Sequence, residues 1–276
     1  MRRLAVLLLD GLRPDAVPAA PMPSLDALGR DWVRAANART IRPSVTVAAL
    51  ASLATGVSPT THGLIEPGLG FLGRLGRLRP VARELARHGM PTAVVTRHLG
   101  RVATAVAAAL TGAAGISRFA SHGRTAREAA LQARETFEAM DAGLLIAYLP
   151  DCDRAGHRHG WMSAPYLRAA ADLDAAVGLF ATGLGNGTLI ALADHGGGGV
   201  TARGHDEPHA TNDWIPLVIA GRGVRRQRVL GEPVSLLDLP PTILWRLGVP
   251  VPPCYEGRVL RDAFLHPTLA PGGATA

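Results

Sequence analysis

The sequence predicts an α/β fold: a three-layer α/β/α sandwich around a mainly parallel central sheet. Three observations lead there. Several apolar runs rich in Val, Leu and Ile lack strict alternation, as strands buried on both faces do. Amphipathic helical patterns lie between those runs, and strands alternating with helices build parallel sheets covered on both sides. Finally, 276 residues with 47% apolar content supply a sizeable core and exclude disorder over most of the length.

Taken in order, the first strand is 4–9, "LAVLLL", stopped by Asp10. A helix over 24–32 follows a proline and opens on Ser24, and a small-residue helix covers 45–54. A helix over 81–88 ends at Gly89, and a strand over 92–95 follows. The helix over 125–140 is amphipathic. The run 143–149 is a buried strand, 164–182 a long helix, 188–193 another buried strand and 215–220 a fifth. The last helix, 235–247, opens with Ser-x-x-Asp, a capping-box pattern, and stops at Gly248 before Pro250. No repeat or linker divides the chain. It reads as one domain over 1–264, with 265–276, "HPTLAPGGATA" at its end, as a frayed disordered tail.

Net charge is +7, and every basic residue is Arg. The arginines are spread out apart from "RRQR" at Arg225–Arg228, so a nucleic-acid partner is not expected. Two cysteines, Cys152 and Cys254, make no disulfide framework. The start "MRRLAVLLLD" imitates a signal peptide, but Asp10 cuts its apolar run short. No apolar stretch is long enough to span a bilayer, and the expected location is cytoplasmic. The oligomeric state is not encoded legibly.

Ligands of open parallel sheets sit beyond the carboxyl ends of the strands. The first strand ends in Asp10, the strand at 143 runs into "LPDCDRAGH", and the strand at 188 ends "ALADHGGGG". Three strands therefore deliver Asp10, Asp153 with His157, and Asp194 with His195 to one edge. A single Asp after a strand is usually a cap or turn residue. Three such clusters at one edge, two carrying His, exceed that explanation. Asp and neutral His are ligands for Zn²⁺ or Mn²⁺. Asp153 and His157 share one face if a helical turn starts there. Adjacent Asp194 and His195 do not easily point at one ion but can serve two neighbouring ones. The glycines allow the loop to fold back and bring His205 over the site. His209 is an alternative to His205.

These segments resemble the alkaline phosphatase superfamily, and within it the type I phosphodiesterase/nucleotide pyrophosphatase branch. "LLLDGLRPD" is similar to the family's first strand and its metal-binding Asp. "RPSVTVAALASLATGVSPTTHG" resembles the nucleophile segment, "LPDCDRAGHRHG" the D-x-x-x-H segment and "ADHGGGG" the Asp-His-Gly segment. "GHDEPHATNDWIPLVIAGRGV" looks like the last metal His and the strand after it, and "VSLLDLPPTILWRLGVPVPP" the closing helix. The likeness covers most of the chain in the family's order.

The resemblance implies two divalent ions, Zn²⁺ by expectation with Mn²⁺ as alternative. Asp153, His157 and His205 would hold one, and Asp10, Asp194, His195 and Thr46 the other. Thr46 stands at the family's nucleophile position, at the start of a helix, where anions are favoured. Metal coordination lowers a hydroxyl pKa, and two ions about 4 Å apart can clamp both oxygens of an in-line displacement. The implied activity is hydrolysis of a small-molecule phosphate ester or nucleotide through a threonyl-phosphoryl intermediate. A phosphomonoesterase or phosphonate hydrolase on the same site, or a non-catalytic Arg-rich binding protein, are the alternatives.

The chain also departs from the family. Val47, Ala48, Ala49 and Leu50 replace Phe-Pro-Asn-His after the nucleophile. Leu64, Ile65, Glu66 and Pro67 stand where a phosphoryl-binding Asn is usual. Thr46, Ala48 and Leu50 break the Cys-x-Pro-x-Arg of sulfatases, and the stretch from Gly56 to Asp153 is too short for a phosphomutase cap. Core or surface roles are the expectation for His62, His88, His98, His122, His159, His266, Cys152, Arg154 and Arg203. Trp161, Tyr166 and Trp214 are assigned to packing ahead of base stacking. The pocket walls are expected from 63–79 and 159–166.

Overall fold

In the computed structural model, residues 2–65 and 77–265 are described. The tail expected at the C-terminus, His266, and most of the expected 63–79 wall lie outside them. Eleven strands occur among the described residues: β1 (Arg3–Leu9), β2 (Val33–Ala35), β3 (Ala38–Arg39), β4 (Thr92–Thr96), β5 (Arg118–Ser121), β6 (Gly143–Leu149), β7 (Thr188–Leu192), β8 (Trp214–Ile215), β9 (Leu217–Gly221), β10 (Arg228–Leu230) and β11 (Val234–Ser235). The helices are α1 (Ala16–Ala19), α2 (Pro23–Asp31), α3 (Thr46–Thr55), α4 (Pro59–His62), α5 (Val81–Arg87), α6 (Arg101–Ala113), α7 (Ala126–Glu138), α8 (Asp151–His159), α9 (Ala164–Ala181), α10 (Ala210–Asp213) and α11 (Leu239–Leu247).

Eight strands form the main sheet in the order β10-β2-β9-β7-β1-β6-β4-β5. All run parallel except β9, which is antiparallel to both β7 and β2. Helices α2, α7 and α9 cover one face, and α3, α5 and α11 cover the other. That double cover explains why every residue of β4, β7 and β9 is buried, and all of β1 but Arg3. Each fully buried Leu or Ile there contributes about 1.5–3 kcal/mol relative to exposure.

Two expectations are corrected. The run 215–220 is not one strand. Pro216 lacks an N–H for a ladder, and the chain changes sheets there: β8 joins a small sheet, β11-β3-β8, while β9 joins the large one. The short strands β2, β5 and β10 and the helix α6 also extend the sandwich beyond the segments legible as apolar runs.

The C-terminal ends of β1, β6 and β7 lie side by side, in register from Leu9 to Leu149 and from Leu8 to Leu192. They set the position of Asp10, Asp153 and Asp194 at one edge of the sheet.

Candidate metal centre

Asp10 follows β1 directly, and its amide donates to the Leu149 carbonyl of the neighbouring strand at 3.1 Å. Gly11 then turns with φ +70°; a β-carbon there would lie 2.7 Å from the Asp153 Cα, so only glycine allows this approach. It lets the Asp153 amide donate to the Asp10 carbonyl at 3.0 Å. Helix α8 starts at that point and puts His157 one turn after Asp153, with Nε2 3.2 Å from Asp153 Oδ1. Asp194 and His195 leave the end of β7. The glycine loop after them folds tightly: a β-carbon on Gly197 would sit 2.1 Å from the Trp161 ring. That loop returns His205 to stack on His195, ring centroids 3.9 Å apart and 13° from coplanar.

Six proposed ligands thus converge. His195 Nε2 is 3.3 Å from Asp10 Oδ1 and 3.7 Å from Asp194 Oδ2. The expectation that adjacent Asp194 and His195 could not easily face one point is therefore corrected, because the backbone turn after β7 swings both inward. His205 Nε2 lies 3.6 Å from Asp153 Oδ1 and 3.1 Å from His157 Nε2. Ligand atoms of Asp10, Asp194 and His195, and of Asp153, His195 and His205, fall within 4.8 Å of one another. Thr46 begins α3, and its Oγ1 is 3.0 Å from His195 Nε2.

The protonation pattern tests whether these residues suit a cation. Each histidine places Nδ1 against a backbone carbonyl: His195 on Gly196 at 2.8 Å, His205 on Ser44 at 2.7 Å and His157 on Arg203 at 2.9 Å. A carbonyl only accepts, so Nδ1 carries the proton and Nε2 presents a lone pair to the site. Asp10 Oδ1, Asp153 Oδ1 and Asp194 Oδ2 are buried without any hydrogen-bond partner. Three lone-pair nitrogens facing three unpaired carboxylate oxygens repel one another unless a cation lies between them. The donor set fits Zn²⁺ or Mn²⁺.

The other carboxylate oxygens are anchored. Asp194 Oδ1 accepts from the Gly11 amide at 3.3 Å and from the His195 amide at 3.0 Å. Asp10 Oδ2 accepts from the Tyr148 hydroxyl. Burial, reinforced by Asp194, pushes the Asp10 carboxyl well above its ordinary pKa, and burial raises Asp194 to about 6. Burial, then the neighbouring His195, lowers His205. Burial and Asp10 raise Tyr148, so its phenol stays a donor. Charging Asp10 and Asp194 at neutral pH therefore has a cost.

His209 does not join this group. It is exposed, and its Nδ1 accepts from the Thr211 amide at the start of α10. His62 braces its own turn, with Nε2 3.1 Å from Ser52 Oγ and Nδ1 accepting from Leu64 N at 3.0 Å. Cys152 is buried, while His159, Arg154 and Arg203 are exposed on the surface, as is Trp214 on β8. Trp161 and Tyr166 pack and also donate, each at 2.9 Å, to the Gly11 carbonyl, which fixes the turn behind Asp10. Tyr148 and Ser44 escaped the sequence reading. The signal for Tyr148 was a lone hydroxyl near the end of an otherwise apolar strand; Ser44 acts through its carbonyl, which no side-chain pattern reveals.

The chain is 33% identical over 118 residues to a phosphopentomutase of Symbiobacterium thermophilum, a match covering 42% of this chain and 28% of that enzyme's length. Its fold superimposes on a phosphonate monoester hydrolase of Silicibacter pomeroyi with TM-score 0.71 and 16% identity, over 95% of this chain and 76% of that one. It superimposes with TM-score 0.74 and 13% identity on a murine ectonucleotide pyrophosphatase/phosphodiesterase 5, an inactive Thr-to-Ala form in complex with AMP, over 96% of this chain and 100% of that one. The family model of type I phosphodiesterase/nucleotide pyrophosphatase matches residues 4–69 and 80–238. The chain belongs to the type I phosphodiesterase/nucleotide pyrophosphatase family.

Proposed function

We propose that the protein is a metal-dependent hydrolase of phosphate esters, of the phosphodiesterase or pyrophosphatase kind, acting on a small-molecule ester or nucleotide. One observation carries the reading: three histidine Nε2 atoms and three unpaired carboxylate oxygens converge on one sheet edge, with the Thr46 hydroxyl 3.0 Å from His195 Nε2. Asp153, His157 and His205 would hold one divalent ion, and Asp10, Asp194, His195 and Thr46 another, with Zn²⁺ the expected metal. Bound there, such ions supply Lewis-acid stabilisation of anionic oxygens and favour the ionised hydroxyl.

The chain's own residues supply the rest. Thr46 sits at the N-terminus of a helix of 10 residues, where unpaired amides favour a phosphoryl anion. Its Oγ1 loses its proton to solvent and attacks phosphorus; the new P–O bond forms as the bond to the leaving oxygen breaks. Water then attacks the threonyl-phosphoryl ester, releases phosphate or a monoester, and restores the Thr46 hydroxyl. The Nδ1 bonds keep all three imidazoles aimed throughout. The inactive Thr-to-Ala form named for the murine neighbour is in keeping with this role.

Thr46→Ala tests the assignment. We expect hydrolysis of a nitrophenyl phosphate diester to fall by a factor on the order of 10⁴ or more, with bound metal per chain unchanged. Undiminished turnover in the variant would end the role of Thr46. The phosphonate hydrolase fold neighbour makes a phosphonate ester the natural second substrate; faster turnover of it, or of the monoester, would select the alternative on the same site.

A further inference from the structure

At the sheet edge opposite the metal centre, "RRQR" forms a built cleft. Strand β10 is parallel to β2, so Arg228 at its start lies at the amino ends of the parallel strands. A cavity of about 410 Å³ there is lined by Arg225, Arg226, Arg228, Asp262 and Leu265. That size falls in the range of small-molecule sites. Among the described residues none of the three guanidinium groups pairs with a carboxylate.

The cleft is held in shape by backbone. Arg225 N donates to Ala263 O at 2.9 Å, and Leu265 N to Gly223 O at 2.9 Å, which stitches the two walls together. Gln227 N and Arg228 N donate to Asp31 O and Trp32 O at 3.1 and 2.9 Å. Gln227 adopts φ +50°, which a non-glycine residue takes up only at some cost. Gln227 sits between Arg226 and Arg228, so the chain turns there, and Arg225, Arg226 and Arg228 line the same cavity. The Arg226 guanidinium carbon lies 4.0 Å from the Trp32 ring centroid, a cation–π contact that holds this side chain at the cleft.

We infer that this cleft binds a small phosphoryl-bearing anion of charge −2 or more, at a site separate from the metal centre. Three guanidinium groups against one carboxylate leave an excess of positive charge that a single monoanion does not neutralise. Guanidinium forks match phosphoryl oxygens in bidentate geometry, and Leu265 gives one apolar wall.

The test titrates the metal-loaded full chain with inorganic tripolyphosphate by calorimetry at low ionic strength, with metal content measured before and after. The Arg225→Ala/Arg228→Ala double variant should bind at least tenfold more weakly at one site while its kcat on a nitrophenyl ester is unchanged. An Arg127→Ala/Arg168→Ala control, which removes the same charge from exposed positions on α7 and α9, should bind as the parent does. Equal weakening in the control would mean bulk charge alone, and equal binding in parent and double variant would mean no site; either overturns the inference. If the double variant melts early, Arg225→Gln gives the same reading, because it removes the charge while keeping a long polar side chain.

Discussion

Tyr148 donates its hydroxyl to Asp10 Oδ2, and that bond decides which oxygen of the carboxylate stays free for the site. Groups that orient a metal ligand from behind commonly change metal affinity by about 10- to 100-fold. Tyr148→Phe removes the donor and keeps the ring that fills the end of β6. We expect metal to be lost to a competing chelator at a concentration lower by roughly that factor, with an unaltered far-ultraviolet spectrum. Retention equal to the parent would show that Asp10 needs no help. The carboxylates and histidines of the site were legible because their residue types are costly to collect at one sheet edge without purpose. Tyr148 was not, because a tyrosine in a strand is ordinarily a packing residue; the pairing of β6 with β1 turns its hydroxyl toward Asp10.

At the scale of elements, legibility followed burial. The runs at β1, β4, β6 and β7 are apolar because both faces are covered, and they were read directly. Strands β2, β5 and β10 are short and partly exposed, so their sequence carries no continuous apolar run. The Ser-x-x-Asp signal before the last helix does fold as a capping box: Ser235 Oγ accepts from Leu237 N, and Asp238 Oδ2 accepts from Ser235 N at 2.9 Å. Ser235→Ala should therefore cost about 1 kcal/mol in denaturant unfolding, read as a lower midpoint at constant slope. On α5, Glu84 is buried between Arg79 and Arg87, at 2.6 Å from each. Its hydrogen bond to Arg79 holds its carboxyl below the ordinary glutamate range. The unfolded chain then binds a proton at higher pH than the folded one. The contribution is complete above the usual glutamate pKa and is lost as pH falls through the depressed folded value. Glu84→Gln should flatten the acid limb of the stability profile, measured by urea midpoints from neutral pH downward.

For the whole molecule, the proposed metal centre joins chain segments from Asp10 to His205, so an ion bound there would tie the fold together. Asp10 and Asp194 shift the other way from Glu84. Their folded pKa values are raised, so without metal the folded state takes up protons more readily than the unfolded one, and charging these groups at neutral pH weakens it. Bound cations reverse that, and they require the charged form. The melting temperature should fall on chelation at pH 7.5. The gap between loaded and chelated protein should narrow as pH drops through about 6, where Asp194 becomes neutral. A gap independent of pH would detach the carboxylates from metal binding. No described helix is long and apolar enough to cross a membrane.

The place of β1 in the sheet has one more consequence. Among the described strands it is the first translated, yet its two neighbours, β6 and β7, follow far later. A fully apolar segment must wait unpaired through most of synthesis, and closing such distant pairs is slow. Shielding nascent Leu4–Leu9 until β6 and β7 arrive should therefore raise the recovery of folded protein, which co-expression with a chaperone would test.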